Sequence, residues 1–251
     1  IIKQNEEIEF SQTELEGAKL SQIALKLHAD AIDEIMNASL GLKARKSYVD
    51  DLESLASYRS TNLLKPKILA EISAIEIAAR NIDNEHNNIE ATKNLEAASK
   101  RLIEAIGEDY LLFLDPKIDS YYLMTFSINQ TISLVDAIGE YSIAKATIQD
   151  DSMIISDNLK LLEGRLRVEN EEFISGANKA IRYGDNLGER SAIYGKLQEV
   201  QNEINSLIIT NPSVSLNHSQ NARQALLSLN ELTQEALEKT IYARVNNLKN
   251  D

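Results

Sequence analysis

The chain lacks cysteine and tryptophan altogether and is short of glycine and proline. Without cysteine, disulfides, thiolate metal centres and cysteine nucleophiles are excluded. Without tryptophan, no indole platform can receive a ligand. Nine glycines and three prolines in 251 residues are too few turn residues for a sheet-rich domain of this length. No apolar run reaches the roughly 18 residues that a membrane-crossing helix needs, and no secretory leader is visible. The start at Ile1-Ile2-Lys3, without methionine, reads as an excised fragment with flanking segments removed.

Cations are scarce too. Against 39 Asp and Glu stand 26 Lys and Arg, a formal net charge of −13. Such a surface repels phosphate backbones and anionic lipid, so nucleic acid is not an expected partner. Hydrophobic residues make up 43% of the chain, enough for a real core. Leu, Ile, Ala, Glu, Asn, Ser and Lys dominate, and apolar residues recur at helical spacing.

The first such run covers residues 5–40, with Leu20, Ile23, Leu27, Ala31 and Ile35 on one face. A stretch over 43–60, carrying Tyr48, Leu52, Leu55 and Tyr58, either starts anew or continues the first helix past Gly41 with a kink. Pro66 suits a first helical turn, and a stripe from Ile68 through Ile106 follows it. Unbroken, residues 66–106 would extend for about 60 Å. The polar run 81–88 in its middle is either a break or a solvated layer between two cores. Asp115-Pro116 favours a turn. Asp119 is placed to cap a helix from Ser120 to about 147. Further helices are expected from Asp150-Asp151-Ser152 to about 183, over 187–209 after a break at Tyr183-Gly184-Asp185-Asn186, and over 216–249. Thr210-Asn211-Pro212-Ser213 reads as the clearest loop. In the last helix Leu226, Leu229, Thr233, Leu237, Thr240 and Arg244 form a seam. The expected fold is all-α, built as one long antiparallel four-helix bundle or as two stacked bundles sharing long helices.

Leu114-Asp115-Pro116-Lys117-Ile118-Asp119-Ser120-Tyr121-Tyr122-Leu123-Met124 resembles the LDPxxDSYYLMD segment of many bacterial receptor ectodomains. These sit between two transmembrane helices in methyl-accepting chemotaxis receptors and sensor histidine kinases. The pattern departs at Thr125, where the family has Asp. Residues 237–248 are similar to the stalk leading into the second transmembrane helix. The resemblance implies a periplasmic ligand-sensing domain over 1–251, homodimeric in the full receptor and joined to the bacterial inner membrane by flanking helices outside this chain. It implies a small-molecule ligand, organic acids among them, or a docked periplasmic binding protein as the partner. A soluble helical bundle with a structural or interaction role is the alternative.

Asp119, Tyr121 and Tyr122 are candidate ligand contacts, although capping by Asp119 and packing of one tyrosine in the core are the stronger explanation of them. Arg59, Lys65, Lys67, Arg80, Arg165, Arg167, Arg182 and Arg190 could hold an anion, since a guanidinium grips a carboxylate with two bonds. Arg80 and Arg182 stand out, each near a break with Asn or Tyr alongside. Asp83, His86 and Glu90 share a face and could hold a metal ion, or form a solvated patch. His28 and His218 look isolated. Phosphate loops, HExxH, GxSxG and paired Glu-x-x-His motifs are all missing, so neither catalysis nor a cofactor is expected.

Overall fold

The computed structural model describes residues 2–42, 46–61, 64–84, 89–110, 112, 117–147, 157–184, 188 and 190–250. No strand occurs among them. The helices are α1 (Ile2–Ser39), α2 (Tyr48–Thr61), α3 (Pro66–Asn84), α4 (Ile89–Asp109), α5 (Ile118–Thr125), α6 (Thr131–Ala146), α7 (Asp157–Tyr183), α8 (Arg190–Ile209) and α9 (Pro212–Asn250). A π-helical turn, Phe126–Gln130, joins α5 to α6 without a break.

The long helices α1 and α9 run antiparallel. Gln4 bonds the Leu248 carbonyl, Glu14 meets Arg244, Lys26 meets Glu231 and Asp33 meets Arg223. As the partner number rises on one helix it falls on the other. The start of α1 and the end of α9 therefore lie side by side.

On one flank of this pair α2 folds back on α1, with Tyr58 Oη donating to the Glu16 carbonyl at 3.0 Å. The second stretch is thus a separate antiparallel helix and not a kinked continuation. Gly41, at φ 66°, supplies the left-handed residue that ends α1. The long stripe after Pro66 is also folded in two. α3 and α4 are antiparallel, joined by ion pairs Lys67–Glu108 and Arg101–Glu71. α4 then lies antiparallel on α1, where Gly17 lets the Tyr110 and Leu112 side chains close against it.

On the other flank α6 runs beside α1 and antiparallel to α7 and α9. The π turn is stabilised by Thr131 Oγ1, which donates to the Phe126 carbonyl at 2.9 Å. Its wider winding brings Phe126 against Phe173 of α7, ring centres 4.8 Å apart. Lys145 of α6 reaches across to the last carbonyls of α8, Leu207 and Ile208, and satisfies groups that no helical N–H can reach. The sequence reading placed a loop at Thr210–Ser213, but Pro212 opens α9, a position where its missing N–H costs nothing.

The core follows the expected faces. Leu20, Leu27 and Ala31 of α1, Ile68 and Ile75 of α3, and Leu226, Leu229 and Leu237 of α9 are all fully buried.

Candidate functional site

A cleft of about 540 Å³ opens along α7, where α5 packs on it. Tyr122 contributes from α5, and Ile174, Asn178, Lys179, Arg182 and Tyr183 from α7. The α7 residues share a face because Ile174, Asn178 and Arg182 follow one another four positions apart, as do Lys179 and Tyr183. Tyr122 stacks on Tyr183, with centroids 5.0 Å apart and an interplanar angle of 21°. Tyr121 meets the edge of Tyr122 at 5.4 Å. The Arg182 guanidinium lies 5.5 Å from the centre of the Tyr183 ring, a cation–π contact. The groove can therefore offer a tyrosine platform and two exposed cations, Lys179 and Arg182. Glu171 adds a negative charge at its far end. Two residues distant in sequence, Tyr122 and Arg182, are brought together here.

Neither tyrosine packs in the core, contrary to the sequence expectation. Tyr121 is 38% exposed and Tyr122 is half-buried, because α5 lies at the rim and presents its second face to α7. Asp119 is not the cap of a helix starting at Ser120. The helix starts at Ile118, and Asp119 in its first turn accepts the Ser120 N–H at 2.9 Å. A carboxylate there meets an otherwise unbonded amide and the positive end of the helix dipole.

Asp119 and Ser120 also face Arg244 of α9. The Arg244 guanidinium bonds Ser120 Oγ, lies 3.9 Å from Asp119 Oδ1 and donates to Glu14 Oε2 of α1 at 3.0 Å. Glu14 is fully buried and the Arg244 side chain 14% exposed. One guanidinium thus ties the first helix, the last helix and the α5 segment. Seam spacing placed Arg244 correctly but did not reveal this role.

Arg80 lies elsewhere, on the exposed face of α3. It is 3.8 Å from Glu76, which also receives Arg59 at 3.1 Å. Lys67 pairs with Glu108, Arg165 with Glu140 and Arg167 with Glu163. Asp115, Pro116 and His86 lie outside the described residues, and with His86 the expected Asp83–His86–Glu90 group.

The two remaining histidines are not isolated. His218 Nδ1 is 2.8 Å from Glu203. His28 is enclosed between α1, α4 and α6, with Nε2 2.7 Å from Asp136 Oδ1 and Nδ1 3.0 Å from Ser99 Oγ. Lys100 bonds the other Asp136 oxygen at 2.6 Å. Burial pushes the Asp136 carboxyl up, but His28 and Lys100 outweigh it and hold the group below the usual range. Burial also disfavours the Lys100 charge, yet Asp136, Glu96 and Glu104 together raise its pKa. Glu96 is raised, first by burial and then by Asp136 and Glu140, against His28 and Lys100.

This cluster has two chemical readings beyond packing. Ser99, His28 and Asp136 stand in the order of a nucleophile–base–acid triad. Ser99 is fully buried, however, and its hydroxyl donates to the Glu96 carbonyl at 2.7 Å. A substrate would have to open three packed helices to reach it. His28, Glu96 and Asp136 also offer donor atoms all within 4.8 Å of one another. Here the ring divides them: Asp136 faces Nε2, while Glu96 lies 3.9 Å from Nδ1. The Lys100 ammonium already supplies positive charge at Asp136, and Asp136 is hydrogen-bonded to the ring. The cluster is a hydrogen-bonded junction.

A second buried network surrounds Arg223. Its guanidinium bonds Asp33 of α1 and, at 2.7 Å, Ser219 Oγ, which in turn accepts from Ser142 of α6 at 2.6 Å. Burial lowers its pKa to about 10, against the attraction of Asp30, so it stays charged at neutral pH.

No family model, curated protein or solved structure matches the chain.

Proposed function

We propose that this chain is the ligand-sensing, extracytoplasmic part of a bacterial transmembrane receptor. In this reading α1–α4 and α6–α9 are two helical groups sharing the α1–α9 pair, and signals leave through the adjoining ends of that pair. The observation that carries it is the position of α5. The segment that resembles receptor ectodomains lines the cleft through Tyr122 and, two residues earlier, touches the Arg244 tie between α1 and α9. A ligand that prefers one placement of α5 would bias the α1–α9 pair by its difference in affinity for the two states. The neighbouring ends of α1 and α9 suit a domain tethered to a membrane on one side.

A thermal-shift screen with amino acids, organic acids and amines tests direct sensing. Ligand at about 100 times its Kd adds about 2.7 kcal/mol to the native state. For a chain of this length that is a rise of about 5–10 °C. Tyr122→Ala and Arg182→Ala should each abolish the shift. A shift that survives both variants would move the site away from this cleft. Silence across the panel would leave a docked binding protein as the signal. A gene lacking hydrophobic segments on either side of these residues would sink the receptor reading.

A further inference from the structure

The cleft along α7 carries opposite charges at its two ends, and the protein does not pair them. Elsewhere on the same helix Lys160, Arg165 and Arg167 each meet a carboxylate, from Asp157, Glu140 and Glu163. Lys179 and Arg182 have no carboxylate partner among the described residues, although the chain carries a net charge of −13. Glu171 has no cationic partner there either. All three are exposed and line the same groove. Lys179 lies eight positions and Arg182 eleven beyond Glu171, about 12 and 16 Å along a helix. Between the charges stand the Ser175 hydroxyl and the Asn178 amide.

We infer that the ligand of this cleft is a peptide of three or four residues with both ends free, an inference that rests on the cleft being the sensing site. Its carboxylate lies against Lys179 and Arg182 and its ammonium against Glu171, with its peptide groups facing Ser175 and Asn178. An extended chain rises about 3.3–3.6 Å per residue, so three or four residues cover about 10–14 Å. Other small molecules leave a charge unanswered. A free amino acid carries both charges on one carbon and reaches only one end. A dicarboxylate long enough to span the groove sets its second anion against Glu171. A diamine sets one ammonium against Lys179 and Arg182. The stacked rings of Tyr122 and Tyr183 stand at the cationic end and favour an aromatic residue at the peptide's carboxyl terminus. The volume of about 540 Å³ is that of a small-ligand site. Because both termini are held, a free peptide fits and the tail of a larger protein does not.

Calorimetric titration of the whole chain with Ala-Ala-Tyr and Ala-Ala-Ala-Tyr tests this. Both should bind. Acetylating the amino end or amidating the carboxyl end should each weaken binding by about three- to tenfold, the range from an exposed ion pair to a charge-assisted hydrogen bond. Glu171→Gln should remove the penalty of acetylation and keep that of amidation. Lys179→Gln should reduce the penalty of amidation and keep that of acetylation. Both substitutions fall on exposed positions, and far-UV circular dichroism checks that the fold is retained. Free tyrosine should bind more weakly than either peptide. The peptide assignment is overturned if free and blocked peptides bind alike, if the two substitutions leave both penalties unchanged, or if neither peptide binds. A small acid whose thermal shift is lost in Tyr122→Ala, with the peptides silent, would overturn the peptide and keep the cleft. A peptide that binds Tyr122→Ala undiminished would remove both.

Discussion

Breaking the Arg223–Asp33 pair should cost unequal amounts from its two sides. The Arg223 side chain is 2% exposed and that of Asp33 24%. In Asp33→Ala the guanidinium stays inside, keeping Ser219 and the more distant Asp30. Breaking a buried pair in this way costs about 3–5 kcal/mol, or roughly 10 °C in melting temperature for a chain of this length. In Arg223→Met the volume is largely kept, and the orphaned Asp33 can take up water through its exposed quarter. That cost should be about 1–3 kcal/mol, nearer the desolvation penalty of a partly hydrated group. The double variant leaves no charge stranded at this pair and should lie within about 2 kcal/mol of the parent, far less than the two single costs combined. Urea unfolding followed by far-UV circular dichroism gives all four stabilities. The reasoning is refuted if Arg223→Met is the costlier single change, or if the two single costs simply add.

Glycine positions separate tight packing from open helix surface. A Cβ on Gly17 would lie 2.5 Å from Tyr110 Cβ and 2.9 Å from Leu112 Cδ2, so Gly17→Ala should cost about 1–3 kcal/mol by overpacking. Gly164 meets nothing within 4 Å, and Gly164→Ala should gain about 0.5–1 kcal/mol in the same urea experiment. Asp136 gives the stability curve a dependence on acid. Its folded pKa is depressed, so its stabilisation is present above the unfolded value near 4 and fades as pH falls below it. The acid limb of the stability curve should be shallower in Asp136→Asn than in the parent. Arg244→Ala should lower stability by about 3–5 kcal/mol, since it takes the guanidinium away from the fully buried Glu14 carboxylate.

The helical class was legible in the sequence because scarce glycine and proline, together with a period near 3.6, admit little else. What periodicity could not show was direction. Tyr48, Leu52, Leu55 and Tyr58 sit at helical spacing whether α2 extends α1 or folds back on it. The deciding residue is Gly41, whose positive φ ends α1. The stripe from Ile68 to Ile106 had the same ambiguity, and it folds into the antiparallel pair α3 and α4. Pro212 was misread because proline marks both loops and first helical turns. Of the candidate ligand contacts, Tyr122 and Arg182 meet in one cleft, whereas Arg80 is a surface ion-pair partner on a different face. No spacing rule could have separated the two arginines, because the difference depends on which helix packs beside each.

The buried polar groups were the least legible feature, although a signal for them was present. Ser219, Arg223, Asn230 and Thr233 continue the α9 seam at spacings of three, four and seven, and His28 lies among Leu20, Leu27 and Ala31 on α1. Polar residues on an apolar seam imply partners on the facing helices. Those partners are Asp33 and Glu14 on α1, and Ser127 and Ser142 towards α6. Their spacing along α9 has a mechanical consequence. Two long apolar helices could slide by one turn with modest loss, whereas here each turn of slip strands several buried donors and acceptors at about 1–3 kcal/mol apiece. Movement of α9 against α1 is therefore a choice between discrete registers. The Arg244 tie is as enclosed as the Arg223 pair, with Glu14 fully buried and the Arg244 side chain 14% exposed against 2% and 24% for Arg223 and Asp33. If a ligand moves α5, as proposed, the shift enters this seam at Arg244, the end that α5 touches, with the Arg223 pair towards the other end.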